Sequence, residues 1–123
     1  MQAKPLLSIV IVNYNGLRFL DECIASIAQH VRCSHEVIVV DNASADGSAQ
    51  YIESAFPQVR LICSDVNTGF TGGNNLGVRA AQGDLVLLLN NDTKLLGPID
   101  DAVDAFGNAK LGALGVHLFY GDG

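Results

Sequence analysis

The chain alternates short runs of apolar, largely β-branched residues with stretches in which apolar positions return every three or four residues. Residues 6–12 end at Asn13-Tyr14-Asn15-Gly16, which predicts a buried strand followed by a turn. Behind the turn, Leu17, Leu20, Ile24 and Ile27 fall on one face of a helix. The same unit follows again. Residues 36–40 predict a second strand that ends at Asp41-Asn42. Ser44 or Asp46 is placed to cap a helix that turns Ile52, Ala55 and Phe56 inward and stops at Pro57. Residues 59–63 predict a third strand, and the Gly-rich stretch 67–73 leads into a helix through Leu76 and Ala80 that ends near Gly83. Residues 85–89 predict a fourth strand. Gly97-Pro98 then opens a helix with Asp100 and Asp101 in its first turn and Ile99, Ala102, Val103 and Phe106 toward the core, and residues 114–120 predict a fifth strand.

Strands alternating with helices of this length predict an α/β fold: a Rossmann-like, mostly parallel sheet with helices on both faces. In a parallel sheet all strands point the same way, so the segments 13–15, 41–44, 65–73 and 90–93 converge on one edge, where such folds bind nucleotides. No linker, low-complexity segment or internal repeat divides the 123 residues. One domain is expected, burying roughly two-thirds of the surface its unfolded chain would expose.

Charge narrows the ligand. Seven Lys and Arg against thirteen Asp and Glu give a net charge of −6 and no basic stripe, which excludes a nonspecific nucleic-acid binder. An anionic ligand must instead be met by helix N-terminal amides, a bound cation or a placed arginine. Arg79, on the helix after the Gly-rich stretch, is one candidate, with a solvated helix face as its simpler reading. Cys23, Cys33 and Cys63 form no C-x-x-C pair and leave an odd number, so free thiols in a reducing cytoplasm are expected. His30, His35 and His117 have no metal-ligand spacing. The longest unbroken apolar run, 85–89, is far short of the ~20 residues that cross a bilayer, and no signal peptide is expected at residues 1–5.

Three constellations carry candidate chemistry. Asp41, in Val40-Asp41-Asn42-Ala43-Ser44-Ala45-Asp46-Gly47, can accept hydrogen bonds from a base or ribose, or else cap backbone amides in its own loop. The stretch Asn67-Thr68-Gly69-Phe70-Thr71-Gly72-Gly73-Asn74-Asn75 allows close backbone approach to an anion, or else is a flexible connector. It lacks the lysine of a G-x-x-x-x-G-K-[ST] loop and the spacing of G-x-G-x-x-G. Asn90-Asn91-Asp92-Thr93 closes the fourth strand with a carboxylate suited to a hard divalent cation beside a diphosphate, or else makes a plain turn. Tyr14 can stack on a planar base or cover the sheet edge as an ordinary aromatic.

Taken in order, the strings 8–15 (Ser-Ile-Val-Ile-Val-Asn-Tyr-Asn), 39–44 (Val-Val-Asp-Asn-Ala-Ser), 67–70 (Asn-Thr-Gly-Phe) and 89–92 (Leu-Asn-Asn-Asp) resemble glycosyltransferase family 2, specifically its rhamnosyltransferase-like branch. The resemblance covers nearly the whole chain. It implies a GT-A fold whose residues 1–123 are a nucleotide-sugar-binding domain, with inverting transfer of a sugar to a glycan or lipid-linked acceptor in polysaccharide synthesis. Carried over by position, Val12 and Tyr14 line the nucleobase pocket, Asp41 bonds the base, and Asn91 approaches the ribose or sugar. Asp92 coordinates Mg²⁺ or Mn²⁺, and the 69–75 loop with Gly69, Gly72 and Asn75 closes over the nucleotide. The family's aspartate-x-aspartate motif stands here as Asn90-Asn91-Asp92, with a carboxylate only at its last position. The catalytic base of inverting members lies past the donor-binding region, which places it beyond Gly123, so the isolated chain is expected to bind donor and transfer little. A cytoplasmic site at the inner face of the membrane, peripheral membrane association and self-association are further expectations.

Two other readings remain open at this point. A flavodoxin-like or receiver-like domain also gathers carboxylates at strand ends, but it wants acidic residues after the first strand, where Asn13, Tyr14 and Asn15 offer none. A non-catalytic binding or assembly piece with an unpaired sheet edge is the other.

Overall fold

The computed structural model describes residues 5–92 together with 94, 95, 97, 114 and 115. Along the chain run β1 (Leu7–Asn13), α1 (Leu17–His30), β2 (His35–Asn42), α2 (Ser48–Ala55), β3 (Arg60–Ser64), α3 (Gly69–Ala80), β4 (Leu85–Asn90) and β5 (Leu114–Gly115). The strands form one five-stranded sheet in the order β3-β2-β1-β4-β5, and every pairing is parallel. The expected parallel α/β architecture is thus observed. The helix expected after Pro98 and residues 116–120 of the expected fifth strand lie outside the described residues. So does Gly123, the position past which the catalytic base is expected.

Burial follows position in the sheet. β1 is central, paired on both sides, and buried at every residue. That is why its sequence is a continuous apolar run instead of an alternation. β3 lies at an edge and keeps only partial burial. Within β1, Ile9 and Ile11 face a core completed by Leu20, Cys23, Ile24 and Ile27 of α1 and Ile52 of α2, whereas Val10 faces the opposite side with Ile38, Val40 and Val86. Each fully buried aliphatic side chain contributes roughly 1.5–3 kcal/mol relative to exposure. In α2, Ser48 and Ile52 are the buried positions, and Ala55, expected inward, is exposed. The helix ends there, while Ile52 and Phe56, also expected inward, do pack on the core, Phe56 edge-on against Tyr51.

The second face is covered by α3, which starts at Gly69, so residues 69–75 are helix and not a loop. Glycine is a poor helix former, with a propensity about 1 kcal/mol below alanine. Tertiary packing reverses the preference. A Cβ on Gly73 would sit 2.6 Å from Cγ1 of Val12, and one on Gly77 would sit 2.3 Å from Cγ1 of Val10. The glycines let the helix backbone lie directly on the β1 valines.

At the N-terminal edge of the sheet, Glu36 gathers neighbours from several elements. Its Oε2 accepts from the Ser8 hydroxyl at 2.6 Å and from the Gln82 amide at 2.7 Å, and its Oε1 accepts from Arg60 at 2.7 Å. Ser8 Oγ in turn accepts from the Gly83 amide at 2.8 Å. Partial burial works to raise the Glu36 pKa, but the bonds from Ser8, Gln82 and Arg60 outweigh it and hold the carboxyl below its ordinary value.

Both sets of contacts can be tested by unfolding. Gly77→Ala should cost roughly 1–3 kcal/mol in urea, because the added methyl meets a buried valine beneath rigid backbone. Because the folded pKa of Glu36 is depressed, its contribution is complete above the ordinary glutamate range and disappears as pH falls through the lowered value. Glu36→Gln should therefore be less stable than the parent at about pH 7 and converge with it once pH has fallen through the lowered Glu36 value, as read from urea midpoints at each pH.

Candidate functional site

The strand order places a topological switch between β1 and β4: the chain moves one way through β2 and β3, then returns to the other side of β1. Outside the C-terminal ends at such a switch, the loops diverge and leave a crevice. Register aligns Asn13 with Asp41 and Val12 with Asn90, so the polar ends of β1, β2 and β4 meet there. A cleft of about 340 Å³ opens at this point, lined by Val12, Phe70, Asn90, Asn91 and Asp92.

Below the cleft a line of side chains crosses the strand ends. Asn13, fully buried, donates from Nδ2 to Asp41 Oδ1 at 2.9 Å and to Ser44 Oγ at 3.3 Å. Its Oδ1 accepts from Asn91 Nδ2 at 2.8 Å. Asp41 is itself only 3% exposed, and its Oδ2 accepts from the Ser44 amide at 3.1 Å. Gly16 makes room for this arrangement, since a Cβ there would stand 1.9 Å from Asn91 Nδ2. The Asp41 turn forces Ala43 to φ 67°, a left-handed conformation that alanine adopts at a cost on the order of 1–2 kcal/mol. Asn15, at φ 52°, is a residue type that tolerates this region.

The loops after β1 and β2 are tied across the same edge. The Asn15 amide donates to Ser44 Oγ at 2.8 Å, and Asn15 Oδ1 accepts from the Ala45 amide at 2.7 Å. Asp46 serves two helix starts at once: Oδ2 accepts from the Leu17 amide at 3.0 Å, and Oδ1 accepts from the amide and hydroxyl of Ser48. Slight burial works to raise its pKa, yet these bonds from Ser48 and Leu17 leave it lowered. Asn42 faces the other way and holds the entry of α3. Its Oδ1 accepts from the amide and hydroxyl of Thr68 at 2.9 and 3.0 Å, and its Nδ2 donates to the Gly69 carbonyl at 2.9 Å.

Of the residues expected from sequence, Val12, Asn91 and Asp92 line the cleft. Asp41 lies under it and joins through Asn13, with its turn-capping reading realised as well. Tyr14 is 51% exposed and is not among the lining residues. Gly69 and Asn75 are exposed positions of α3, and Gly72 packs on Thr68, where a Cβ would come within 2.6 Å of the threonine Cβ. The expected closing loop is therefore the first turns of a helix, because Gly72 and Gly73 are filled by neighbouring side chains. Thr93 and Gly123 lie outside the described residues, so the base expected beyond Gly123 is given no position by the cleft geometry. Sequence reasoning missed Asn13 and Asn42 as organisers and Phe70 as a wall of the cleft; Asp46 was expected as a cap of the second helix and is one, but its bond to the start of α1 was not foreseen. For Asn13 and Asn42 the available signal was position, just past a predicted strand end; Phe70 lies within the Gly-rich stretch, seven residues past the predicted third strand.

Electrostatics at the cleft is acidic. Among the described residues no Lys or Arg lines it, and Lys94, two residues past Asp92, lies 3.7 Å from Glu22. Cys23 beneath β4 reports the same field: burial and then the Asp92 charge push its thiol up to about 12. Cys63 is exposed, and partial burial followed by the charges of Asp41, Glu53 and Asp65 raises its pKa as well.

Known proteins share this arrangement of strands and helices. The family model described as Glycosyl transferase family 2 matches residues 8–103. Among curated relatives, the succinoglycan biosynthesis protein ExoO of Rhizobium meliloti is 34% identical over 72% of this chain and 26% of its own length. The putative teichuronic acid biosynthesis glycosyltransferase TuaG of Bacillus subtilis is 28% identical over 74% of this chain and 37% of its own length. The crystal structure of S. aureus TarS 1–349 in complex with UDP superposes with a TM-score of 0.74 at 23% identity, covering 85% of this chain and 32% of that one. The chain thus spans between 26% and 37% of the length of these proteins.

The thiols offer a direct check on the field and burial. Under native conditions a thiol reagent should modify exposed Cys63 before Cys23, and Cys23 should react only on unfolding, as located by peptide mass spectrometry.

Proposed function

The chain belongs to glycosyl transferase family 2, and on that premise we propose that it forms the donor-binding part of an enzyme that moves a sugar from a nucleoside-diphosphate sugar to a glycan or lipid-linked acceptor. The observation that carries this reading is the cleft at the β1/β4 switch, where Asn91 and Asp92 stand over the Asp41–Asn13 pair.

The roles follow from position. Val12 and Phe70 give the cleft apolar walls suited to a nucleoside, and Asp41, at the buried end of the site, serves base recognition. Tyr14 stands exposed at the same edge and completes the nucleobase side. A diphosphate brings concentrated negative charge to a cleft whose described lining holds no lysine or arginine, so a cation is required. Among the described residues no three acidic, histidine or cysteine side chains cluster as a cage. One carboxylate with neighbouring amide oxygens suits Mg²⁺ or Mn²⁺, ions that take their remaining ligands from substrate phosphates and water. Asp92 would hold such an ion, which would neutralise the diphosphate as it departs.

In the finer reading, transfer inverts the anomeric carbon with a base supplied from beyond Gly123, and the chain sits in the rhamnosyltransferase-like branch. The full enzyme then works on polysaccharide, a reading supported by the biosynthetic names of its relatives, and in this reading it does so at the inner face of the membrane.

Titration calorimetry of the chain with dTDP, UDP and GDP, each with Mn²⁺ and with chelator, tests this. At least one nucleotide should bind about tenfold or more tightly with Mn²⁺, and Asp92→Asn should abolish that gain. Equal, negligible binding in every titration overturns the proposal.

A further inference from the structure

The hydrogen bonds beneath the cleft have a direction, and that direction starts at a charge. An ionised carboxylate can only accept, so Asp41 Oδ1 fixes the Asn13 amide with Nδ2 toward it at 2.9 Å. Asn13 therefore turns its carbonyl Oδ1 the other way, and that oxygen can only be met by a donor. The donor is Nδ2 of Asn91 at 2.8 Å. With one N–H of its nitrogen committed downward, and no donor to its Oδ1 among the described residues, Asn91 has that oxygen as the open end of the amide, in the cleft wall beside Asp92. An Asn side chain is otherwise ambivalent, presenting donor or acceptor with equal ease.

We infer that Asn13 is a positioning residue that relays the polarity of the Asp41 carboxylate to Asn91, so that the cleft meets its ligand with an amide oxygen at Asn91 and not an amide nitrogen. The consequence is chemical. At this point the cleft takes a hydroxyl donor or a hard cation and repels a phosphate oxygen, which fits the ribose-and-cation side of a nucleoside diphosphate. Asn91 also supplies the neutral oxygen that a cation site with one carboxylate otherwise lacks. Asn13 suits this work because it is fully buried, where competing water is excluded, and because Gly16 leaves the Asn13–Asn91 pair no side chain to displace it. The role in ligand choice rests on the donor-binding reading above; the relay itself is a property of the free protein.

The test has two arms. In the first, the side-chain amide protons of Asn91 are followed by ¹⁵N-resolved NMR without ligand. They should exchange slowly in the parent chain and about tenfold faster in Asn13→Leu, which has nearly the same shape and no polar atoms. Slow exchange should return in the double variant Asn13→Asp with Asp41→Asn, which moves the charge one residue along but keeps an acceptor facing Asn91. A purely space-filling role predicts no such return, so fast exchange in the double variant, or unchanged exchange in Asn13→Leu, overturns the relay. Thermal melts identify any variant that has lost its fold, and the charge-swapped pair keeps the arm decisive if Asn13→Leu does so.

The second arm measures UDP binding with Mn²⁺ to the parent chain, Asn13→Leu, Asn91→Ala and the two combined. If Asn13 acts through Asn91, the combined variant should bind no more than about twofold worse than Asn91→Ala alone. Additive losses overturn the relay while leaving the donor-binding reading intact. Absence of nucleotide binding by the parent chain overturns the donor-binding reading and the ligand role of Asn91 together, and the NMR arm still decides the relay.

Discussion

Parallel pairing of β1 with β2 on one side and β4 on the other is the constraint from which the other features follow. A parallel ladder ends abruptly, and the last residues of adjacent strands arrive side by side with backbone and side-chain polar groups that the sheet no longer satisfies. Here those residues are Asn13, Asp41, Asn42 and Asn90. Water cannot reach most of them, so Asn13 and Asp41 satisfy each other and Asn42 is satisfied by Thr68 and Gly69. Asn13, Asp41 and Asn42 are each at most 3% exposed, and among the described residues no buried side-chain nitrogen or oxygen lacks a hydrogen-bond partner.

Satisfying those groups also shapes the surface above them. The bond between Asn13 and Asp41 holds β1 and β2 in register at their tips, Ser44 and Asn15 tie their loops, and Asp46 ties the starts of α1 and α2. Asn42 performs the same service for α3. The cleft wall is therefore built on strand tips and helix starts and not on free loops, which is the arrangement that keeps a binding geometry fixed without ligand. The glycines of α3 serve the same end from the opposite face, because close approach to Val10 and Val12 brings Phe70 to the mouth of the cleft.

An acidic protein that handles an anionic ligand must separate its charges by depth. Asp41 is deep and bonded to protein, whereas Asp92 lines the cleft and is partly exposed, available to a cation. Glu36 and Asp46 are committed to the architecture, each held below its ordinary pKa by bonds from neighbouring backbone and side chains. Carboxylates alike in sequence thus divide into structural and ligand-facing groups according to how many donors surround them.

Residue pattern alone dictated the alternation of strands and helices, because burial on both sides of a central parallel strand demands an apolar run such as that of β1, and because one-sided burial demands the three-and-four spacing of α1. It also placed Asp41, Asn91 and Asp92 at one edge, since parallel topology sends every strand end there. What it left open was how those ends touch. That Asn13 stands between Asp41 and Asn91, that Ala55 faces outward, and that the glycines after Thr68 start a helix emerged only from the folded arrangement. Local propensity carries no information about a partner 78 residues away, as Asn91 is from Asn13. Nor does it reveal that a valine on another strand fills the space a glycine leaves. Those contacts exist only once the strands have paired.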